Sequence, residues 1–336
     1  MRLGDRDSRG IIRGRRSVAC ERCGVTRGRA TTTELSGILV VDKPAGWTAH
    51  DVVARVRRLT GERRVGHAGT LDPAATGVLP VCVGEATKVV EYLSAGGKTY
   101  LAAVLLGTVT DTDDLDGWNI AEQDANGISR EMIEAQLPQF TGEITQIPPA
   151  YSAVHVDGKR AYALARAGQT VEMPSRIVNV QHLTLVAWEL PVAWLVVDCG
   201  AGTYVRALAR DLGATLGCGA TLARLIRLRS GPFALCAAWS LDELAALPDL
   251  VAAWGWTAVH PDAALTDWPA LLLDDDAARQ WVNGQFLTDD GSGHGAPDGA
   301  LSRAYDAGGM WRGVALRDHH AWRAFKGVRT TGIAPE

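Results

Sequence analysis

The segment Gly66-His67-Ala68-Gly69-Thr70-Leu71-Asp72-Pro73-Ala74-Ala75-Thr76-Gly77 sets one carboxylate, Asp72, among glycines and small residues. Glycines let backbone approach backbone or ligand where a Cβ would clash, and loops of this kind on a rigid scaffold are common homes for catalytic groups. The Asp72-Pro73 step keeps the aspartate out of helical geometry, while Pro73 suits the first turn of a helix. Two readings of Asp72 stand at this point: the cap of that helix, or a catalytic carboxylate.

Other chemistries fail on spacing. Gly97-Lys98-Thr99 imitates the end of a phosphate-binding loop, but Tyr92 stands where the first glycine belongs, and a strand is expected next. The acidic run Asp111, Asp113, Asp114, Asp116 before Gly117 would put Thr112 at the first calcium ligand and Gln123 in place of the bidentate glutamate, so it reads as a solvated loop. Cys20 and Cys23 form a lone C-x-x-C with no second ligand pair and no histidine before His50, which does not make a zinc site. No G-x-S-x-G, H-E-x-x-H or dinucleotide-binding glycine motif occurs in a fitting context.

The elements that must position Asp72 follow from pattern. Ile38-Leu39-Val40-Val41 reads as a buried strand stopped by Asp42-Lys43-Pro44-Ala45-Gly46. Thr48 and Asp51 form a capping-box pattern before a helix with Val52, Val53, Val56 and Leu59 on one face and Arg55, Arg57 and Arg58 on the other. Val78 to Val83 is a further buried strand, and Lys98 to Gly107 a longer one with Tyr100, Ala102, Val104 and Leu106 on one face. Gln146 to Ala153 is extended or loop because of Pro148 and Pro149, and a helix is expected over Arg160 to Ala167. Ala193 to Cys199 is a strand, followed by a helix bearing Val205, Leu208, Ala209, Leu212 and Leu216 that Gly217 ends. The mixture lacks a regular βαβ repeat, which favours an α+β fold.

The chain has 336 residues, 47% hydrophobic and 21% charged, enough for one large and one small domain or two comparable ones. Its net charge of −4 argues against coating nucleic acid by bulk charge, yet leaves room for local basic patches. Such patches flank the Asp72 loop: Arg55, Arg57, Arg58, Arg63 and Arg64 before it, and Arg210, Arg224, Arg227 and Arg229 far after it. No apolar run reaches the ~18 residues of a membrane span, and the arginine-rich start has no signal-peptide pattern, so a cytoplasmic location is the default. The six scattered cysteines are expected to be reduced. Residues 1–36 read as a basic, disordered tail or an upstream-start extension.

Several separated motifs together resemble the TruB-type tRNA pseudouridine synthases. They are Asp42-Lys43-Pro44-x-Gly46-x-Thr48, the Gly66–Gly77 loop, Lys98-Thr99-Tyr100, Thr110-Asp111-Thr112, Gln146-x-Pro148-Pro149-x-Tyr151-Ser152-Ala153, and Gly202-Thr203-Tyr204-Val205-Arg206, followed by Leu216 to Ala220 and Leu225. The likeness covers about residues 37–240. Ala49, Ala68 and His155 stand where the family often has Ser, Thr and Lys, and none removes a group that the chemistry requires.

The resemblance implies a pseudouridine-synthase fold, α+β, with a mixed, largely antiparallel central sheet flanked by helices. It divides the chain into the tail 1–36, a catalytic domain 37–265 and a PUA-like β-barrel 266–331 that would hold the acceptor side of tRNA. Asp72 would be the nucleophilic aspartate and Arg206 its charge-assisted partner, bidentate and lowering its pKa. Tyr100 and Tyr204 would contact the pyrimidine, with Tyr100 stacking on it and also supporting the chemistry. Leu225 would pack the pocket's other side, and His67 would enter the T-loop. The reaction detaches uracil, turns it and joins C5 to C1′ without redox change, so no cofactor and no metal is needed. Attack at C1′ and a glycal route both remain open. The partner is the T-arm stem-loop of tRNA, with no membrane, no obligatory protein partner and a monomeric chain. The competing readings are a non-catalytic tRNA-binding or tRNA-folding protein, which would not require Asp72, and a guide-RNA-dependent relative, which would need protein partners.

Overall fold

The computed structural model describes residues 35–152, 155–156, 159–162, 172–288, 296–319 and 321–328. Cys20 and Cys23, the basic segment to residue 34, and positions 163–167 of the expected Arg160–Ala167 helix lie outside them; Arg160 itself ends a short strand.

In chain order the strands are β1 (Gly37–Lys43), β2 (Val65–His67), β3 (Thr76–Val83), β4 (Lys98–Leu106), β5 (Thr108–Thr110), β6 (Asn119–Glu122), β7 (Gly142–Gln146), β8 (His155–Val156), β9 (Lys159–Arg160), β10 (Arg176–Glu189), β11 (Val192–Cys199), β12 (Ala220–Ser230), β13 (Phe233–Ala234) and β14 (Trp239–Ser240). After them come β15 (Ala270–Leu273), β16 (Leu287–Thr288), β17 (Leu301–Asp306), β18 (Trp311–Asp318) and β19 (Ala321–Gly327). Ten strands make one sheet, ordered β14-β1-β3-β12-β4-β11-β10-β7, with β2 on β3 and β13 on β12. The β1–β14 and β3–β12 pairs are parallel and the others antiparallel, as expected of a mixed, largely antiparallel sheet.

The near-continuous apolar run of β1 is explained by burial on both faces. Leu39 and Val41 join a core with Val52, Val53 and Val56 of the helix α1 (Ala49–Thr60), whereas Ile38 and Val40 face a second core that includes Leu265, Trp311 and Val314. Thr48 and Asp51 form the expected capping box. On β4, Tyr100, Ala102, Val104 and Leu106 are buried together with Leu208 and Leu212 of the helix Val205–Leu216, which stops at Gly217. That helix leads back into β12, so the sheet's middle strands carry both ends of the machinery described below.

The expected helix at Pro73 does not form. Ala75 N–H donates to the Asp72 carbonyl over 3.1 Å, a turn, and the chain enters β3 at Thr76. The cause is the parallel register Ile226↔Thr76 and Arg227↔Gly77, which draws the backbone into the sheet before a helical turn can close. Asp72 therefore caps nothing.

Residues 241–265 form short pieces, Leu241–Ala246, Trp254–Thr257 and the 3₁₀ turn Pro261–Leu265. Beyond them, β15 to β19 form a sheet ordered β15-β17-β18-β19-β16 around Leu271, Trp281, Ala304 and Trp322. Among the described residues this sheet is open, since β15 and β16 lie at opposite edges, and a closed PUA-like barrel is not formed. It packs on the larger sheet through Trp311 and Val314, a Lys326–Glu91 ion pair of 3.0 Å, and a hydrogen bond from Lys88 Nζ to the Gly327 carbonyl. Among the described residues no helix is long and apolar enough to cross a membrane.

A tight point of the ten-stranded sheet is Gly77, at φ +103°, where a Cβ would stand 2.3 Å from the Arg227 carbonyl oxygen. Backbone cannot give way as a side chain can. Gly77→Ala is expected to destabilise the fold by about 3 kcal/mol or more, combining left-handed strain with overpacking. The urea midpoint reads this, and an alanine variant as stable as the parent would contradict it.

Candidate active site

Asp72 leaves the turn before β3 and meets Arg206, the second residue of the Val205–Leu216 helix, with Nε 3.1 Å from Oδ2. Arg206 is 6% exposed, whereas Asp72 keeps 42% of its side-chain surface open to a cavity of about 430 Å³. The pair is single, not the bidentate fork that was expected. The rest of the guanidinium is occupied: Nη1 faces Asp114 Oδ2 at 3.2 Å and donates to the Thr112 carbonyl, and Nη2 donates to the Tyr151 carbonyl, both at 3.1 Å. A second expectation is corrected with it. Desolvation pushes the Asp72 pKa above the ordinary carboxylate value, and the Arg206 charge pulls it back only in part.

Tyr100, Tyr204, Arg206 and Leu225 line this cavity together with Asp72, so five of the six residues singled out in the sequence converge. Asp72 is the one acid among the described lining residues. His67 is not in the lining. It sits on β2, its ring 5.5 Å from that of exposed His50, and its Nδ1 has no hydrogen-bond partner among the described residues. Burial, with help from the charges of His50 and Arg227, holds its pKa below the ordinary histidine value.

Tyr204 is set by a bracket that sequence reasoning missed. Gln146, 1% exposed, accepts from the Tyr204 N–H at 2.8 Å and donates to its carbonyl at 3.0 Å, while the Arg176 guanidinium lies 4.8 Å from the ring centre. The signal was present in the Gln146-x-Pro148-Pro149 motif, but nothing local tells a pinning glutamine from a loop glutamine.

The acidic run before Gly117 is not a solvated loop throughout. Asp113 pairs with Arg210 at 2.9 Å and Asp114 with Arg206, their side chains 11% and 16% exposed. Arg210 also holds Asp211 and the Ile147 carbonyl, and Arg227 is 1% exposed, so neither forms part of a free basic surface. Arg224 and Arg229 remain on the surface, as do Arg57, Arg58, Arg63 and Arg64; Arg57 donates to the Val65 carbonyl and Arg64 pairs with buried Glu85.

Beneath the Asp72 loop lie further buried cations. Lys43 Nζ donates to the carbonyls of Pro44 at 2.9 Å, Trp47 at 2.6 Å and Pro73 at 3.1 Å. Lys98 Nζ, in the cavity lining, donates to the Ser94 and Gly96 carbonyls. Desolvation lowers both ammonium groups to about 8, and the Asp72 charge works against this at Lys43. The arrangement is one reachable carboxylate, charge-paired at its rear, with Tyr100, Tyr151, Tyr162, Tyr204 and buried donors around it.

The family model for "TruB family pseudouridylate synthase (N terminal domain)" matches residues 57–205, and that for "tRNA pseudouridylate synthase B C-terminal domain" matches 206–253. A protein named tRNA pseudouridine synthase B from a Synechococcus species is 46% identical over 288 residues, covering 83% of this chain and 93% of its own. The chain belongs to the TruB family. A tRNA pseudouridine synthase B from Pseudomonas aeruginosa is 44% identical over 257 residues, 75% of this chain and 83% of the other. Among solved structures, a chain of a Cbf5-Nop10-Gar1 complex superposes with TM-score 0.60 at 26% identity, covering 89% of this chain and 82% of that one. In this TruB-family core Tyr100 and Leu225 stand on strands of the ten-stranded sheet, Asp72 on the turn before β3, and Tyr204 and Arg206 at the start of the Val205–Leu216 helix.

Lys43 supplies a test of the loop's support. Lys43→Met takes the ammonium away from the Pro44, Trp47 and Pro73 carbonyls, of which Pro73 keeps the Gly46 N–H, at a cost of about 1–3 kcal/mol. Between about pH 8 and the ordinary 10.5, the folded chain has released the Lys43 proton while the unfolded chain still holds it, so the stability that Lys43 contributes rises with pH. Urea unfolding should show the gap between the parent and Lys43→Met widening over that range; a constant or narrowing gap contradicts the assignment.

Proposed function

We propose that this chain isomerises a uridine of the tRNA T-loop to pseudouridine, as its relatives' name, tRNA pseudouridine synthase B, supports. The observation that carries the reading is the Asp72 carboxylate, open to the cavity and backed by a buried guanidinium. A stacked uridine is out of reach of such a group, so the nucleotide must be flipped into the pocket. There Tyr100 and Tyr204 offer ring faces to the pyrimidine, and Leu225 closes the opposite side.

Asp72 faces the sugar and acts ionised, whether it attacks C1′ or promotes departure of the base toward a glycal. Arg206 holds it in that charge state against desolvation, and Asp114 in turn neutralises the other side of Arg206. Detached uracil remains enclosed, turns, and rejoins through C5, with no redox partner and no cofactor in the balance. His67, outside the cavity, is left to contact the RNA around the flipped nucleotide, and the exposed arginines of α1 and the following loop to contact phosphate. The open C-terminal sheet is read as a PUA-like appendage for the acceptor side of tRNA, where Arg323 and Lys326 lie over the Phe325 ring. The chain is proposed to act alone, as a monomer in the cytoplasm.

Pseudouridine mapping on a bare tRNA transcript incubated with the purified chain tests the activity. The product is expected at a single T-loop uridine without added protein or guide RNA, and its absence would remove the proposal. Asp72→Asn is expected to form no product and still bind tRNA, which separates the enzyme from a binding protein; equal product from the variant would refute the mechanism. Binding should weaken as salt rises, and an affinity indifferent to ionic strength would count against the arginine contacts.

A further inference from the structure

Arg227 was expected on a phosphate-facing surface, yet it is among the most enclosed side chains of the protein, 1% exposed. Its Nε donates to the Val78 carbonyl at 2.6 Å, Nη1 to Thr70 at 3.3 Å and Nη2 to Gly69 at 3.0 Å. One guanidinium thus holds carbonyls on both sides of Asp72 in the chain. A guanidinium has five N–H donors, so these contacts leave two. On the neighbouring strand Tyr100 is directly opposite Arg227 in register, which puts both side chains on the same face of the sheet, and both line the cavity. The Arg227 charge acts on the Tyr100 phenol and works against its desolvation.

We propose that Arg227 is a positioning residue: by donating to the Tyr100 phenolic oxygen while clamping Gly69, Thr70 and Val78, it turns the Tyr100 proton into the cavity and holds the tyrosine in register with Asp72. A phenolic oxygen that accepts from a cation directs its own O–H elsewhere, and the open direction is the cavity. Burial keeps the phenol above its ordinary pKa, so the proton stays on the oxygen and is there to be donated. The inference rests on the proposed activity. Uracil leaving C1′ carries negative charge spread over its ring nitrogen and carbonyl oxygens, and a fixed donor beside it stabilises that charge without reorganisation. Lysine cannot substitute, because a single ammonium has three donors and no planar fork to span three carbonyls and a phenol.

The test compares single-turnover pseudouridine formation and tRNA affinity in the parent, Arg227→Gln, Tyr100→Phe and the double variant. Arg227→Gln is expected to bind tRNA within about threefold of the parent and to react about 100-fold more slowly, the loss that a small misplacement of a reacting group brings. In the Tyr100→Phe background the same substitution should cost less than about threefold, because the two residues act through one contact. A rate within about threefold of the parent, or an equal loss in both backgrounds, overturns the proposal. Side-chain ¹⁵N spectra of labelled arginine need no Arg227 variant: Tyr100→Phe should move the Arg227 Nη resonance, and an unmoved resonance overturns the proposal even if Arg227→Gln fails to fold. Lack of product from the parent chain would instead strike the activity itself, which the ¹⁵N shift does not depend on.

Discussion

A guanidinium with 6% of its surface exposed must be neutralised, and the way Arg206 is neutralised organises the molecule. Its partners come from distant parts of the chain: Asp72 from the loop before β3, Asp114 and Thr112 from the loop after β5, and Tyr151 from the segment after β7. Breaking such a pair from one side leaves an uncompensated buried charge, a cost of about 3–5 kcal/mol. The ion pair therefore ties three excursions from the sheet to one helix. It also leaves Asp72 as a carboxylate gripped at one oxygen and open to the cavity.

The loop that carries Asp72 has no helix to stiffen it, so its rigidity comes from buried cations acting on backbone carbonyls. Lys43 holds Pro73, Arg227 holds Gly69, Thr70 and Val78, and the Gly46 N–H adds a bond to Pro73 at 2.8 Å. Because these cations bind carbonyls and not carboxylates, no second acid competes with Asp72 among the described lining residues. The Lys43 charge also joins that of Arg206 in opposing the desolvation that would otherwise favour protonated Asp72.

Much of this was legible because the signals are local. The α1 capping box, the Gly217 stop and the buried face of β4 follow from motifs or periodicity within short windows, whereas the convergence of Tyr100, Tyr204, Leu225 and Arg206 on Asp72 was implied by the family resemblance alone. What failed depends on partners far away in sequence. Pro73 starts a turn and not a helix because β12, about 150 residues on, captures Thr76 and Gly77. Arg210 and Arg227 look like surface cations until Asp113 and the loop carbonyls fold against them. The sign of the Asp72 shift needed the balance between burial and several nearby charges, of which Arg206 acts most strongly, and no residue pattern contains it.

The claim at the centre is that burial and the Arg206 charge act on Asp72 in opposite directions. Carboxyl ¹³C NMR on aspartate-labelled protein measures this directly, with Asp72→Asn assigning the resonance and Arg206→Met removing the charge. Asp72 is expected to titrate above the ordinary carboxylate value in the parent, and higher still once Arg206 is gone. A parent midpoint at or below that value, or one that does not rise in Arg206→Met, would contradict it.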